Sequence, residues 1–145
     1  MYCFATLPPF VAALATTLGG LTKLQMLDLS RNNLCSDAAA TLAPELLALK
    51  NLLMLNLSNN WSLGAKGAAA LAPTIQGLTN LKVLCMNSCS FGEEGAAHLA
   101  PSLALLTNLR KLELKSNGFG LAGAVILLRS LQNRTQHITT RIDPY

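Results

Sequence analysis

The sequence predicts an α/β fold made by stacking one strand-and-helix unit several times over, a solenoid. Three observations carry this reading. Four segments share one spacing of apolar positions: LQMLDLSRNNL from Leu24, LLMLNLSNNWSL from Leu52, LKVLCMNSCSF from Leu81 and LRKLELKSNGF from Leu109, with starts 28, 29 and 28 residues apart. Apolar and other residues alternate within each, as in a strand, whereas the stretches that follow, such as GAAALAPTIQGLTN and GAAHLAPSLALLTN, have the three-and-four spacing of a helix. Finally, AALATTLGGLTKL (residues 12–24) and AALAPTIQGLTNL (69–81) are identical at nine of thirteen positions across an offset of 57, which is one step of 28 plus one of 29.

Taken in order, residues 1–23 form a partial first unit that holds only a helix. The first charged residue is Lys23, so this stretch has the length of a signal peptide or a membrane span. A cleaved leader would not copy an internal segment, however, and Pro8-Pro9 and Gly19-Gly20 interrupt a spanning helix. Complete units follow over 24–51, 52–80, 81–108 and 109–136. In the second of these, Leu71, Ile75 and Leu78 fall on one helical face, and the neighbouring alanines let the helix lie close to its strand. Pro44, Pro73 and Pro101 recur at one place in the unit, which predicts a helix kinked or restarted there. Residues 137–145, HITTRIDPY, alternate at Ile138, Thr140 and Ile142 and form a degenerate last strand or tail. All of this fits a single domain of 145 residues.

The pattern resembles that of leucine-rich repeat proteins, and the 28–29-residue unit resembles their ribonuclease-inhibitor-like subclass. The residues that carry the likeness are Leu24, Leu27, Leu29, Asn32 and Leu34; Leu52, Leu55, Leu57 and Asn60; Leu81, Leu84, Cys89 and Phe91; and Leu109, Leu112, Leu114, Asn117 and Phe119. The resemblance implies a short curved horseshoe with a parallel sheet on the concave side and helices on the convex side. It also implies a structural ladder of Asn32, Asn60, Cys89 and Asn117, whose buried side chains satisfy turn amides that would otherwise go unpaired. Met86 departs from the pattern by replacing a leucine. One extra residue between Asn60 and Pro73 leaves Leu63, rather than Ser62, to point inward.

Nothing in the sequence arranges itself for catalysis. Cys85 and Cys89 have no third and fourth ligand at suitable spacing; Cys89 stands in the ladder and Cys85 points to the opposite face, so the pair is neither a metal nor a disulfide site. Cys3 and Cys35 add no CxxC, and a reducing, cytoplasmic setting is the simpler context. His98 and His137 lack a paired nucleophile or carboxylate. Glu93 and Glu94 suit the positive end of a helix. Sequons at Asn56, Asn60 and Asn133 have no secretory signal to accompany them. GGLTKL runs into a strand and is not a phosphate loop. We expect no enzyme, no cofactor, no metal and no small-molecule substrate.

What remains is surface. Hydrophobic residues are 51% of the chain and charged ones 12%, sparse for a free surface. Residues 1–108 hold five Lys/Arg against five Asp/Glu, and 109–145 six against two; spread charges with few aromatics speak for a solvated end and not for a nucleic-acid or membrane partner. Stacking the units brings equivalent strand residues about 4.8 Å apart on the concave face. One column runs Met26, Met54, Val83, Lys111, the next Asp28, Asn56, Cys85, Glu113, and a third ends at Lys115. This face is expected to bind a protein partner, with the methionines and valine as its apolar part. A regulatory arm of a larger protein, of the small-GTPase activator or immune-receptor kind, is the alternative. Counting back 29 residues from Asn32 reaches Cys3, so the first unit lacks its strand. An uncapped N-terminal edge of this sort fits a partial family member or end-to-end self-association, with marginal stability for the monomer.

Overall fold

A computed structural model describes residues 9–132 and 138–143. Helices and strands alternate along the chain: α1 (Pro9–Leu18), β1 (Met26–Asp28), α2 (Ser36–Leu47), β2 (Met54–Asn56), α3 (Gly64–Gly77), β3 (Val83–Cys85), α4 (Gly92–Ala104), β4 (Lys111–Glu113), α5 (Gly120–Leu131) and β5 (Thr139–Arg141). The strands form one parallel sheet in sequence order. Each crossover carries a helix, as parallel neighbours require. The register pairs Met26 with Met54, Met54 with Val83, Val83 with Lys111 and Lys111 with Thr139. The repeated leucines are thereby stacked.

Those leucines make the core. Leu55, Leu84 and Leu112 at the strand centres are fully buried, as are Leu52, Leu81 and Leu109 just before the strands. Leu71, Ile75, Leu99, Leu103 and Leu127 close the core from the helices, and Leu63, Phe91 and Phe119 fill it at the helix starts. The inward place in the lengthened unit belongs to Leu63, which is 1% exposed, while the adjacent Trp61 is 57% exposed. Helices lie close because small residues face each other. A Cβ on Gly95 would come within 2.7 Å of Phe91 Cβ and 3.3 Å of Ala68 Cβ, and one on Gly123 within 3.2 Å of Ala96 Cβ.

Of the two outcomes expected at the prolines, a kink or a restart, the restart does not occur: helices α2, α3 and α4 run on through Pro44, Pro73 and Pro101. All three prolines are exposed, so the carbonyl four residues back, deprived of its amide donor, meets water instead of an apolar wall. A second feature had no sequence signal. Arg31, Asn59, Ser88 and Ser116, each one residue before the ladder position, have φ between 56° and 62°. This left-handed conformation is unfavourable for a side-chain-bearing residue. Three of the four are tied down from the next unit, where Arg31, Asn59 and Ser88 donate their amides to the carbonyls of Ser58, Asn87 and Lys115 at 3.0, 2.8 and 2.8 Å.

Candidate protein-interaction face

The ladder holds the turns that frame the sheet face. Asn60 is wholly buried and makes four hydrogen bonds. Its Oδ1 accepts from the amides of Asn32 (3.1 Å) and Leu34 (2.9 Å), and its Nδ2 donates to the carbonyls of Leu29 (3.0 Å) and Leu57 (2.7 Å). Asn117 repeats the arrangement, accepting from the Cys89 amide at 2.9 Å and donating to Met86 and Leu114 at 2.8 and 2.9 Å. Cys89 fills the same place with its Sγ directed to the Leu57 carbonyl at 3.3 Å. Burial pushes its thiol up to about 12, so it acts as a neutral donor. Asn32 differs from its equivalents: it is exposed, and its Nδ2 reaches the Ser30 carbonyl of its own turn. Among the described residues no earlier strand stands beside β1 to enclose it.

On the sheet face, the first column is Met26, Met54, Val83, Lys111 and Thr139, and the second Asp28, Asn56, Cys85, Glu113 and Arg141. Met26 is 63% exposed; Met54 and Val83 are half-buried. The second column is internally bonded at both ends. Asn56 Nδ2 donates to Asp28 Oδ2 at 3.1 Å, and the Ser30 amide to Asp28 Oδ1 at 2.9 Å. These bonds, Ser30's foremost, hold the Asp28 carboxyl below its ordinary range. Glu113 is gripped harder. Lys111 Nζ sits 2.9 Å from Oε1, Arg141 lies 4.0 Å from the same oxygen, and Asn87 Nδ2 donates to Oε2 at 2.9 Å. Lys111 and Asn87 together hold its carboxyl low, and Glu113 in turn raises the Lys111 ammonium. Lys115 is exposed, and its amide donates to Asn87 Oδ1 at 2.8 Å.

Cys85 lies on this face and Cys89 in the turn; both thiols are free. Burial, with Glu113 second, raises the Cys85 thiol. Cys35 is disulfide-bonded, which removes it from the free thiols a reducing setting would favour; Cys3, Asn133 and His137 lie outside the described residues. Among the described residues no cluster of His, Cys, Asp and Glu could hold a metal ion, and no helix is long and apolar enough to cross a membrane.

Several contributors escaped the sequence reading. Asn51, Asn80 and Asn108 form a second, exposed ladder, donating to the carbonyls of Thr22, Lys50 and Thr79 at 2.8, 2.8 and 2.9 Å; their recurrence every 28–29 residues was the available signal. Trp61 follows the ladder residue Asn60 in the segment between β2 and α3 and is exposed; the break in the period, one extra residue between Asn60 and Pro73, points to that segment. Lys82 and Arg110, one residue before β3 and β4, are both exposed. They belong beside Lys111 and Arg141, which spacing alone did not reveal because they come from three different units.

A sheet of parallel strands on a leucine repeat, bonded through an asparagine ladder, defines a leucine-rich repeat solenoid. A family model described as Leucine Rich repeat matches residues 48–72 and 106–127, and another, described as Leucine Rich Repeat, matches 23–46. These segments are leucine-rich repeats. The strand from Leu81, with its Met86 and Cys89, falls outside both matches. No curated protein matches the chain in sequence. Among solved structures it is similar to the tropomodulin C-terminal domain of Caenorhabditis elegans, with a TM-score of 0.76 at 15% identity over 92% of this chain and 82% of that one. It is also similar to a chain titled Leiomodin-1 Actin-Binding Site 2, with a TM-score of 0.79 at 11% identity over 94% and 81%. At such identities the likeness is one of fold.

Proposed function

We propose that this chain is a non-enzymatic protein-interaction module of the ribonuclease-inhibitor-like kind, holding a protein partner against its concave sheet face. The observation that carries the reading is the column of Met26, Met54 and Val83. Three adaptable apolar side chains stand in one row on a rigid sheet with polar residues on either side, the composition of an interface centre. Trp61, exposed between β2 and α3, is of the residue type most enriched among binding hot spots. End-to-end stacking of copies is supported less well. Phe10 stands where α3, α4 and α5 have Gly67, Gly95 and Gly123, and Leu121, Val125 and Leu128 stand out from α5, so neither end reproduces the close small-residue contact found between the helices. One structural neighbour is titled an actin-binding site, which makes actin the first partner to test.

The test is capture of actin, and of partners from a cell extract, by the wild-type chain and by Met54→Glu. We expect at least a tenfold loss of binding for Met54→Glu with a stability change within about 0.5 kcal/mol. Binding that survives this change and is lost on substituting Lys66 or His98 moves the site to the helical side.

A further inference from the structure

The sheet face is divided in two along its length, and the division describes a ligand. Its first column is apolar over β1, β2 and β3, with Met26, Met54 and Val83 and with Leu53 beside them, while Asp28 and Asn56 in the neighbouring column are bonded to each other. Around β3, β4 and β5 the face is cationic, with Lys82 just before β3, Arg110 just before β4, Lys111, Lys115 and Arg141 all exposed. The acids on this half are already engaged. Glu113 is held by Lys111, Arg141 and Asn87, and Asp143 Oδ1 accepts the Ser116 amide at 2.7 Å. Lys82, Arg110 and Lys115 have no ion-pair partner among the described residues. The sheet hydrogen bonds make the patch continuous, since the Arg110 amide donates to the Lys82 carbonyl and the Thr139 amide to that of Arg110, both at 2.8 Å.

Resting on the concave-face reading above, we propose that the ligand is an extended segment of a partner protein with apolar residues at one end and carboxylates at the other, laid across the strands. Its apolar end covers Met26, Met54 and Val83, and its acidic end meets Lys82, Arg110, Lys115 and Arg141. Four strand-to-strand steps of about 4.8 Å span about 19 Å, which an extended chain at about 3.3 Å per residue covers in about six residues. The charge complementarity sets orientation and speeds encounter. Nucleic acid fits less well, because the positions between the cations are Val83, Cys85, Glu113 and Thr139, which offer no ring for a base to stack on.

The experiment titrates the full chain with three probes, followed by the fluorescence of Trp61, the single tryptophan. The probes are a peptide of three leucines and four glutamates, the same peptide with lysines for glutamates, and a single-stranded oligouridine. We expect the acidic peptide to bind at least tenfold tighter than the lysine peptide, to weaken severalfold between 50 and 300 mM salt as the charges are screened, and to lose its advantage in Lys82→Glu/Arg110→Glu. Lys82→Gln/Arg110→Gln gives an intermediate loss and guards against a folding effect of the reversal. Equal or tighter binding of the lysine peptide or of oligouridine overturns the proposal, as does the absence of acidic-peptide binding at millimolar concentration. An acidic-peptide affinity left unchanged both by Met54→Glu and by Lys82→Glu/Arg110→Glu overturns the concave-face reading instead, so the two failures are told apart.

Discussion

Asn32 and Asn60 are the same residue at the same place in consecutive units, yet among the described residues the side chain of one is exposed with a single local bond and that of the other is buried with four. The contrast extends to their surroundings. Interior units bury their strand leucines completely, while Leu27 in β1 is half-buried and Leu21, equivalent to the buried Leu78, is 50% exposed. A repeat sequence thus states what each unit can do, but the neighbours decide what it does. In a structure where each unit touches only the next, position in the stack is as much a determinant of energy as residue identity.

The largest expected effect tests this directly. Asn60→Leu takes their partner from the Asn32 and Leu34 amides and the Leu29 carbonyl and leaves the Leu57 carbonyl only the Cys89 thiol, at about 1–3 kcal/mol for each buried group that water cannot reach; we expect a loss of at least about 3 kcal/mol in urea denaturation. Asn32→Leu should stay within about 0.5 kcal/mol. Equal losses would break the comparison. Next, Gly95→Ala pushes a methyl into Phe91 and Ala68 between α3 and α4 and should cost about 1–3 kcal/mol. Gly20→Ala near the N-terminal edge, where the nearest atom is the Thr17 carbonyl at 3.5 Å, should change stability by less than about 0.5 kcal/mol. The smallest effect is electrostatic and depends on pH. Because the folded structure lowers the Glu113 carboxyl, its contribution is present above the unfolded value of about 4.3 and is lost as pH falls through the lower folded value. The melting temperature of Glu113→Gln should therefore lie below wild type at pH 6 and converge on it by pH 3. A gap that persists at pH 3 would show that Glu113 acts through packing.

The leucine period, the strand register and the ladder residue Cys89 were legible because they obey a repeat, and a repeat is visible as self-similarity. What stayed hidden depends on contact between units. Ser88 and Ser116 carry no glycine-like mark of a left-handed backbone, since the acceptors that hold these turns, the Lys115 carbonyl and Asp143 Oδ1, belong to residues 27 positions away. The cationic half of the sheet face draws on Lys82, Arg110 and Arg141, each unremarkable in its own unit. Continuous helices through Pro44, Pro73 and Pro101 depended on which side of the helix faces water, and the local rule for proline does not contain that information.

The ladder also has a direction. Asn60 serves the turn amides of the unit before it, at Asn32 and Leu34, and Asn117 serves that of Cys89. Each turn is therefore finished by a side chain that the ribosome adds 26–28 residues later. During synthesis, at about 5–20 residues per second, every unit waits for its successor for a second or more with its amides open. A stalled nascent chain would carry one incomplete unit at its growing end, with turn amides still open to water.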